Sequence, residues 1–523
     1  MKKILFVIAS LAVFASCGKD TEIEYRDVLV HDTVTVKENV TEYVNVGANF
    51  DSKPFVVSKS DTVIINYGDI EIGDLDNDIV FEMNSTIMDP KLGRITTYTL
   101  NCVGIGAVPL ITENDTMKVN PEQSVQNVTI INRGKITIHT SKLFEKYKDL
   151  IQLHGNADRK YQYLRVLPIY AGKNSKVINE GVIEAYFDHD ETTLSTVYVM
   201  ALVSGDGSEI VNSGEIHFHG KGSPYTRMRG VATFADNITV TNDGIMTADV
   251  ELAEDSRGVT TGGTYSNVTN NGTIDFNLTG SIFGLTRYGN SNIVNNGTIK
   301  LNSRNMPEAY KDEIYRVCAL YDPLTTSREG GLPTITNRGN VTITLDNSGV
   351  ANPNRFGYGV LVDNIEPASS SAGVLISTIN VNVENTGIIK TDNGGSSCYN
   401  GELGVISWNN TKAIANVSVS NWKTLLRDFG TSKDLFTIKG ANLSFANTKF
   451  YVVAGDGYEY GTAYSVAPEN LVNITGTESG FSGKIVDDLD ASNFSPINYQ
   501  KERVVYDKDN TTVALTKVET NSK

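Results

Sequence analysis

Cysteine is scarce in this chain of 523 residues, which contains four: Cys17, Cys102, Cys318 and Cys398. They are scattered along the sequence, and no spacing among them matches a zinc site. A disulfide framework or a structural metal is therefore not expected to hold the fold together.

Catalytic and cofactor-binding motifs are also lacking. The sequence has no nucleophile elbow, no glycine-rich loop that would cradle a phosphate and no zinc motif. We therefore expect no cofactor and no metal, and an enzymatic activity is not favoured.

Basic residues are too few for a protein that binds nucleic acid. The 45 Lys and Arg residues are outnumbered by 61 Asp and Glu residues, which gives a net charge of −16. Such an excess of negative charge argues against nucleic acid and anionic membrane surfaces as partners. Together with 46 Gly and 24 Tyr residues, it is typical of a β-rich secreted protein.

What the sequence does contain is a repeated phrase of seven residues: β-branched, any, Asn, any, Gly, any, aliphatic. Its clearest copies are residues 268–274 and 293–299. The residue two positions before each Asn is Ile or Val, and the residue four positions after it is Ile, Val or Met. The nine copies are marked by Asn66, Asn132, Asn179, Asn212, Asn242, Asn270, Asn295, Asn337 and Asn385.

Each copy is predicted to be a strand end, a tight bend and the start of a second strand. We expect the glycine to supply a backbone conformation that other residues reach only with strain. One such corner cannot bury its own apolar side, but stacked copies can, with the inward residues in continuous columns. The nine asparagines are then expected to form a structural ladder in which each amide bonds the next.

The spacing of the asparagines indicates the fold class. Successive copies are 66, 47, 33, 30, 28, 25, 42 and 48 residues apart. The central spacings suit one coil of a parallel β-helix, and the longer ones suit a coil plus an insertion or, for the first, a degenerate coil. A leucine-rich repeat is excluded because Leu does not recur at a fixed short spacing, and a propeller is disfavoured because it needs blades of nearly constant length. We predict an all-β protein, a right-handed parallel β-helix with short helical insertions and an extended N-terminal stalk.

The N-x-G-x-I corner resembles the repeats of bacterial β-helical surface proteins, including autotransporter passenger domains and related adhesins. The resemblance covers about residues 60 to 515, and residues 480–485, 504–507 and 512–515 look like the last coils of such passengers. It implies the architecture but not the ligand, because that fold carries adhesins, lyases and hydrolases alike.

Residues 1–16 are predicted to be a signal peptide. Lys2 and Lys3 precede the apolar residues 4–13, a run too short to span a membrane as a stable anchor. The sequence then reads Phe14-Ala15-Ser16-Cys17, which resembles the lipobox of bacterial lipoproteins with Phe in place of the usual Leu.

The lipobox resemblance implies that Cys17 carries a lipid such as palmitate, is the first mature residue, and anchors the chain in the outer membrane. Residues 19–22, Lys-Asp-Thr-Glu, resemble surface-export signals in lipoproteins of Bacteroides-type bacteria, which implies exposure at the cell surface. With Cys17 lipidated, an odd number of cysteines remains. The alternative is an ordinary secretory signal with a chance cysteine.

Residues 28–46 carry valine on even positions and mostly polar residues on odd positions. This period of two indicates extended β structure, similar to stalks behind such lipid anchors, or else a disordered tether. The predicted organisation is 1–16 signal peptide, 17–50 lipid-anchored stalk, 51–440 β-helix repeats, and 441–523 terminal coils and C-terminal cap.

Several shorter predictions concern the body. Residues 143–151 place apolar side chains on one helical face, residues 307–315 are helix-like, and Trp422, Leu425 and Leu426 suggest a helical turn. Residues 197–203 and 443–452 read as strands, and residues 188–191 as an acidic surface loop. Arg229-Gly230-Val231 and Arg257-Gly258-Val259 both begin thirteen residues before a repeat Asn, which predicts a second aligned corner.

The register of the repeat also selects a candidate site. Residues five and seven positions after each Asn are predicted to point outward, on coils about 4.8 Å apart. The densest cluster of ionisable side chains there consists of Glu184, His217, His219, Asp249 and Asp275. Two His at alternate positions with carboxylates above and below can bind a divalent metal or act as acid and base, although a polar solvated face is the plainer interpretation.

Aromatic side chains in the long loops are candidates for stacking on sugar rings. They are Tyr225, Tyr265, Tyr288, Tyr310, Tyr358 and Tyr399. The leading hypothesis is a surface lipoprotein that binds a glycan or another cell-surface ligand. The alternatives are a polysaccharide lyase or glycoside hydrolase on the same scaffold, and a purely structural surface element.

Overall fold

The structure is a computed structural model of the chain. It describes residues 42–46, 53–73, 76–89, 93–152, 160–189, 197–233, 235–251, 253–263, 265–287, 290–305, 315–323, 334–346, 355–364, 379–392, 399–407, 415–425, 435–439, 441–445, 448–455, 457–475, 484–485 and 489–518. The expected signal peptide, Cys17 and most of the expected stalk lie outside the described residues.

Three long sheets, built mainly of parallel strands, wind around a common core. A representative coil contributes Thr239–Asn242 to the first sheet, Ile245–Glu251 to the second and Asp255–Thr261 to the third. Each of these strands pairs in parallel with strands of the preceding and following coils. The chain is therefore a parallel β-helix, and the prediction of an all-β solenoid is confirmed.

The first and second sheets meet at the repeated phrase. The first sheet, of fifteen strands, consists of Glu42–Val46, Thr62–Asn66, Thr129–Asn132, Lys176–Asn179, Glu209–Asn212, Thr239–Asn242, Asn267–Asn270, Asn292–Asn295, Thr334–Asn337, Ile379–Asn385, Ala415–Leu425, Asn442–Ser444, Lys449–Val453, Lys484–Ile485 and Phe494–Pro496. The second sheet, of nine strands, consists of Asp69–Ile72, Lys135–His139, Val182–Asp188, Glu215–Lys221, Ile245–Glu251, Thr273–Leu278, Thr298–Ser303, Asn340–Leu345 and Ile388–Asp392.

The third sheet completes each coil. Its fifteen strands are Phe55–Val57, Ile79–Asp89, Gly93–Ala107, Leu110–Glu113, Thr116–Val119, Tyr161–Tyr170, Val197–Val203, Arg227–Thr233, Asp255–Thr261, Ser281–Arg287, Tyr315–Pro323, Arg355–Asn364, Tyr399–Ser407, Phe436–Lys439 and Val472–Thr475. The predicted strand over residues 197–203 is thus confirmed.

Aliphatic columns form the core, as the repeat predicts. The β-branched residues two positions before the repeat asparagines are at most 1% exposed, and the aliphatic residues four positions after them are at most 3% exposed. Stacking buries side chains such as Val240 and Met246 against the same positions of the coils above and below. Burying one such side chain contributes roughly 1.5–3 kcal/mol, so the columns provide the main driving force for stacking.

The repeat asparagines form one continuous ladder inside the first corner. Each Nδ2 donates to Oδ1 of the asparagine one coil further on, from Asn66 to Asn385, through eight hydrogen bonds of 2.7–2.8 Å. All nine side chains are fully buried. The last one, Asn385, donates to the carbonyl oxygen of Lys423 at 2.7 Å and so ties the ladder to the terminal coils.

The repeat glycines are required for a different reason from the one expected. None of them has a positive φ among the described residues. Instead, a Cβ on Gly244 would lie 2.0 Å from the carbonyl oxygen of Gly214, and similar clashes of 1.9–2.1 Å recur from Gly134 to Gly387. Successive coils therefore approach each other so closely at this corner that only glycine fits.

Left-handed backbone occurs at another corner, five residues before the repeat asparagine. Asp61, Asn127, Asn174, Gly207 and Asn237 occupy this position with φ between 51° and 70°. Asn, Asp and Gly adopt this conformation most readily. Asn, Asp or Gly at this position marks the corner in the sequence, although the repeated seven-residue phrase alone does not reveal it.

Insertions account for the two longest early spacings. The 66-residue spacing contains the antiparallel strand pairs Ile79–Asp89 with Gly93–Ala107 and Leu110–Glu113 with Thr116–Val119, rather than a degenerate coil. The 47-residue spacing contains an α-helix, Thr140–Tyr147, which buries Leu143 and Phe144 as expected. The helix ends before Leu150, which is 47% exposed.

Two local predictions are wrong. Arg229-Gly230-Val231 and Arg257-Gly258-Val259 lie within adjacent parallel strands of the third sheet, so they are aligned but are not a corner. Their glycines are needed inside the strand, because a Cβ on Gly230 would lie 2.7 Å from the carbonyl oxygen of Gly258, and a Cβ on Gly258 would lie 2.7 Å from that of Gly284. Trp422 and Leu425 belong to a long strand, in which Trp422 and Thr424 are buried with a period of two.

The remaining sequence predictions for secondary structure have mixed outcomes. The residues around Leu443 and Val452 form the strands Asn442–Ser444 and Lys449–Val453. The helix-like segment 307–315 lies mostly outside the described residues, and its last residue, Tyr315, begins a strand. Of the segment predicted as an extended stalk, Glu42–Val46 is a strand that pairs in parallel with Thr62–Asn66.

The C-terminal region closes the solenoid differently from the coils. Aromatic side chains fill the last turns of the core, where Phe436 contacts Trp422 and Phe450 contacts Phe494, each pair at 5.5 Å between ring centroids. The strands Tyr464–Ser465, Glu502–Asp507 and Thr512–Lys517 form a small antiparallel sheet beyond them. Two short helices, the α-helix Pro468–Leu471 and the 3-10 helix Ala491–Asn493, connect these parts.

The ladder leads to a prediction about stability. Asn242→Ala removes the ladder partner of one buried N–H of Asn212 and the ladder partner of the buried Oδ1 of Asn270. An unmade buried hydrogen bond of this kind costs roughly 1–3 kcal/mol per group. We expect the free energy of unfolding to fall by about 3 kcal/mol, measured by urea denaturation.

The matched control is Asn271→Ala at the same corner. Asn271 also bonds asparagine or aspartate on both neighbouring coils, but its side chain is exposed to water. Its loss is expected to change stability by less than about 0.5 kcal/mol. Equal losses for the two variants would show that burial of the ladder is not what makes it stabilising.

Candidate functional site

The predicted cluster lies on the outer face of the second sheet. Glu184 is the register partner of His217, and His217 in turn neighbours Thr247, which separates it from Asp275. In the adjacent column, His219 neighbours Asp249. The repeat therefore predicts the columns and their order along the axis.

The cluster is not assembled as a metal site. His217 uses both ring nitrogens, Nδ1 with Oγ1 of Thr247 at 2.6 Å and Nε2 with Oε2 of Glu215 at 2.7 Å. Glu184 is 2.8 Å from Nζ of Lys135 and accepts a hydrogen bond from the hydroxyl of Tyr186 at 2.8 Å. Within the described residues, no group of three or more His, Cys, Asp and Glu side chains is placed to hold a metal ion.

The other two carboxylates are also paired with cations. Asp249 forms an ion pair with Arg304 and accepts a hydrogen bond from Nδ2 of Asn277 at 3.2 Å. Asp275 lies 3.5 Å from Nζ of Lys300, and both side chains are largely exposed. A solvated polar face, which the sequence left open as the plainer interpretation, fits this arrangement better than an acid–base pair.

Aromatic rings form a second feature of this face. His139, Tyr186 and His219 stack along the solenoid axis with centroid distances of 5.8 and 5.5 Å, and His217 lies beside His219 at 5.8 Å. Because the rings stack on one another, they turn their edges to solvent. The edges carry ring nitrogens and a hydroxyl, so this column offers hydrogen bonds to a ligand more than stacking surfaces.

Burial and neighbouring charges shift the pKa values of these groups. Burial lowers the pKa of His139 and of His219, with a further decrease from Lys142 and His217 respectively. Burial alone would raise the pKa of Glu184, but hydrogen bonds from Lys135 and Tyr186 outweigh it and hold the pKa below its usual value. At neutral pH the outer face of the second sheet therefore carries neutral His139 and His219 rings beside the ionised carboxylate of Glu184.

A groove continues this face toward the C-terminal coils. Asn302 donates to Oδ1 of Asn277 at 2.8 Å, and Nε of Arg304 donates to the same oxygen at 3.0 Å. The groove has a volume of about 450 Å³ and is lined only by polar residues: Glu251, Asn277, Thr279, Asn302, Arg304, Asn305 and Asp346. Amides, carboxylates, a hydroxyl and a guanidinium can bond a polar ligand with many hydroxyl groups.

The third sheet carries buried charges that the sequence analysis missed. Arg287 and Asp322 form an ion pair of 2.7 Å with both side chains fully buried. Arg316 and the hydroxyl of Tyr321 both bond Asp363, at 2.8 and 2.9 Å. Burial raises the pKa of Asp363 to about 6 despite these two partners. The signal in the sequence was an arginine or aspartate within an otherwise apolar strand, as in Tyr315–Pro323.

The candidate loop tyrosines have different environments. Tyr265 is 58% exposed and has a φ of 57°, at the left-handed corner that Asp, Asn or Gly occupies in the five preceding coils. Tyr225 is half-buried, whereas Tyr358 is fully buried in the third sheet and is therefore not a stacking platform. Tyr399 begins a strand of the third sheet, and Tyr288 and Tyr310 lie outside the described residues.

Comparison of the chain with protein-family models, with curated protein sequences and with solved structures finds no match. In the part of the chain that the structure describes, no helix is long and apolar enough to cross a membrane.

His189 was predicted to lie in an acidic surface loop, but its side chain is only 5% exposed. It packs against Phe144 and Phe187, and its Nε2 lies 3.0 Å from the hydroxyl of Thr140. That hydroxyl donates to the carbonyl of Tyr186, so Nε2 must be the donor to Thr140. As a neutral imidazole, His189 therefore holds the start of the helix Thr140–Tyr147 against the end of the strand Val182–Asp188.

This contact predicts a pH dependence of stability. Burial lowers the pKa of His189 to about 4 from a usual value of 6.5. The unfolded chain therefore binds the proton first, so stability is fully present above pH 6.5 and is lost as the pH falls toward 4. The loss is roughly 3 kcal/mol. His189→Gln should flatten urea-unfolding free energies over this range, and profiles that stay parallel to the wild type would contradict the assignment.

Proposed function

We propose that the protein is a cell-surface lipoprotein whose β-helix binds extracellular glycans in the groove on the second sheet. The observation that carries this proposal is the lining of the groove, in which all seven residues are polar and three are asparagines. Sugars present many hydroxyl groups that both donate and accept hydrogen bonds. Carboxamides match them because each can donate and accept at the same time.

The geometry of the strands supports an elongated ligand. The groove spans consecutive coils, because Asn277 and Asn302 are register partners on adjacent strands of the second sheet. Equivalent polar side chains therefore recur about every 4.8 Å along the axis. A polysaccharide laid along the solenoid would meet a new set of hydrogen-bonding groups at each coil.

The groove is held in shape before a ligand arrives. Arg304 bonds both Asp249 and Asn277, and Asn302 bonds Asn277, so the side chains support one another across three coils. The strands beneath them are fixed by the parallel ladders of the solenoid. Such preorganisation reduces the entropy lost on binding.

The proposal predicts that the amide pair is needed for binding. The soluble protein from Thr21 onward, applied to a glycan array, should bind a polysaccharide, and the double variant Asn277→Ala, Asn302→Ala should bind it at least tenfold more weakly. Two lost hydrogen bonds of about 1 kcal/mol each correspond to a loss of this size. The control is Asn296→Ala, an exposed asparagine of the same coil outside the groove.

The same array should be scored for new reducing or unsaturated ends. Binding without product supports a role in adhesion or capture. Release of product would replace this proposal with a polysaccharide lyase or hydrolase, with Glu251 and Asp346 in the groove as the first carboxylates to substitute. Absence of both would contradict glycan binding and favour a structural role or a protein ligand.

The anchor is a separate part of the proposal, carried by the sequence around Cys17. Cys17→Ala should abolish incorporation of labelled palmitate and release the protein from the outer-membrane fraction, because one or more acyl chains provide the membrane affinity. Surface exposure is measured by protease treatment of intact cells. Unchanged labelling of the variant would show that Cys17 is not the lipidated residue.

A further inference from the structure

The third sheet carries a strip of arginines and tyrosines on its outer face. Arg165, Tyr198, Arg227 and Asp255 are register partners on four consecutive strands. Arg229 and Arg257 are register partners in the neighbouring column. We refer to Arg165, Arg227, Arg229 and Arg257, with Tyr163 and Tyr198, as the arginine strip.

Three of the four arginines have carboxylate partners. Arg227 forms two hydrogen bonds with Glu254, of 2.8 and 2.7 Å. Arg229 and Arg257 share Asp255, with ion-pair distances of 2.7 and 2.9 Å. Among the described residues, two carboxylates thus pair with three of these guanidiniums, within a chain whose net charge is −16.

Arg165 differs from the other three. Among the described residues it has no carboxylate partner, and its Nε is buried without a hydrogen-bond partner. Its guanidinium lies 5.9 Å from the ring centroid of Tyr163, which also faces Arg227 at 5.6 Å. Burial lowers the pKa of Arg165, and Tyr198 and Tyr163 oppose this shift. Leaving a partly buried cation without an anion is unfavourable, because little water remains to solvate it.

The neighbouring strand carries an unsatisfied hydrogen-bond acceptor opposite Arg165. Asn101 is the register partner of Arg165, and its Oδ1 is buried without a partner among the described residues. Its Nδ2 donates to the carbonyl and the hydroxyl of Thr99, each at 3.2 Å, which fixes the orientation of the amide. A donor at Arg165 and an acceptor at Asn101 therefore lie on adjacent strands, both unsatisfied.

We propose that Arg165 is the centre of an anion-binding site for the carboxylate or sulfate group of an acidic sugar. The planar guanidinium suits such an oxyanion because it offers paired N–H donors. A hydroxyl of the same sugar, or a water held beneath it, supplies the hydrogen that Oδ1 of Asn101 lacks. The uncompensated charge of the strip attracts the anion, while the tyrosines restrict the approach of water.

This inference rests on the proposed glycan binding for its ligand class, but not for its location. The groove lies on the second sheet and the arginine strip on the third, so their substitutions act independently. An acidic polysaccharide would bind through both, whereas a neutral one would bind only in the groove.

The direct test is an NMR titration of the arginine Nε–H signals in the intact soluble protein at constant ionic strength. The Arg165 signal is identified by its absence from Arg165→Lys. Glucuronate and glucose 6-sulfate are the two probes for carboxylate and sulfate, and glucose is the neutral control. We expect the Arg165 signal to shift in a saturable manner with at least one anionic probe and not with glucose. No shift with either anion would overturn the site.

Variants provide a second readout by calorimetry with the probe that binds. Arg165→Gln should weaken binding at least tenfold, and Arg165→Lys should retain part of it, because a lysine keeps the charge but loses the paired donors. Arg503→Gln, an exposed position on the C-terminal sheet, changes the net charge by the same amount and should bind normally. Equal affinity of Arg165→Gln and the wild type would refute the proposal, even if the groove variants abolish binding of a neutral glycan.

Discussion

The close vertical stacking of coils at the asparagine corner is the constraint on which the rest of the structure depends. From Gly134 to Gly387, each repeat glycine brings its coil against the carbonyl oxygen of the preceding repeat glycine, where any Cβ would clash. This approach lets the buried amides meet at 2.7–2.8 Å and form one ladder from Asn66 to Asn385. Hydrogen bonds in such an enclosed row strengthen one another. A larger residue at one glycine would separate two coils and break the ladder bond between them.

Because the constraint acts at one corner, the other parts of each coil can vary. The asparagines 66 residues apart and those 25 residues apart are joined by ladder bonds of the same 2.7 Å. Insertions such as the helix Thr140–Tyr147 extend from other parts of the coil without altering that corner. A longer insertion increases the entropic cost of closing a coil only slightly, because this cost grows slowly with loop length. The solenoid can therefore present different outer surfaces while the core remains periodic.

The sequence predicts the features that recur in every coil, such as strand register, and misses contacts that occur in single coils. The spacing of the asparagines was enough to place Glu184 beside His217 and His219 beside Asp249. It could not show that Lys135 and Arg304 would pair with those carboxylates, because long side chains reach across columns and coils. The role of the repeat glycines was predicted wrongly for a similar reason. The carbonyl oxygen that excludes a side chain at each of these glycines belongs to another coil, so the local sequence does not reveal it. Trp422 was predicted as helical because three apolar residues suggested one helical face, whereas pairing with the preceding strand determines its conformation.

The negative net charge and a site for anions are compatible because charge acts locally in this fold. At physiological ionic strength, exposed charges more than about 8 Å apart are largely screened. The excess of acidic residues therefore disfavours diffuse attraction of polyanions such as nucleic acid, which depends on many exposed cations. A partly buried guanidinium beside a tyrosine ring, as Arg165 is beside Tyr163, experiences less screening, so its own environment determines what it attracts. Arg165 combines that environment with the absence of a carboxylate partner among the described residues, whereas Arg227 is paired with Glu254, and Arg229 and Arg257 share Asp255. The sheet thus separates arginines that stabilise the fold from one whose charge remains available to a ligand.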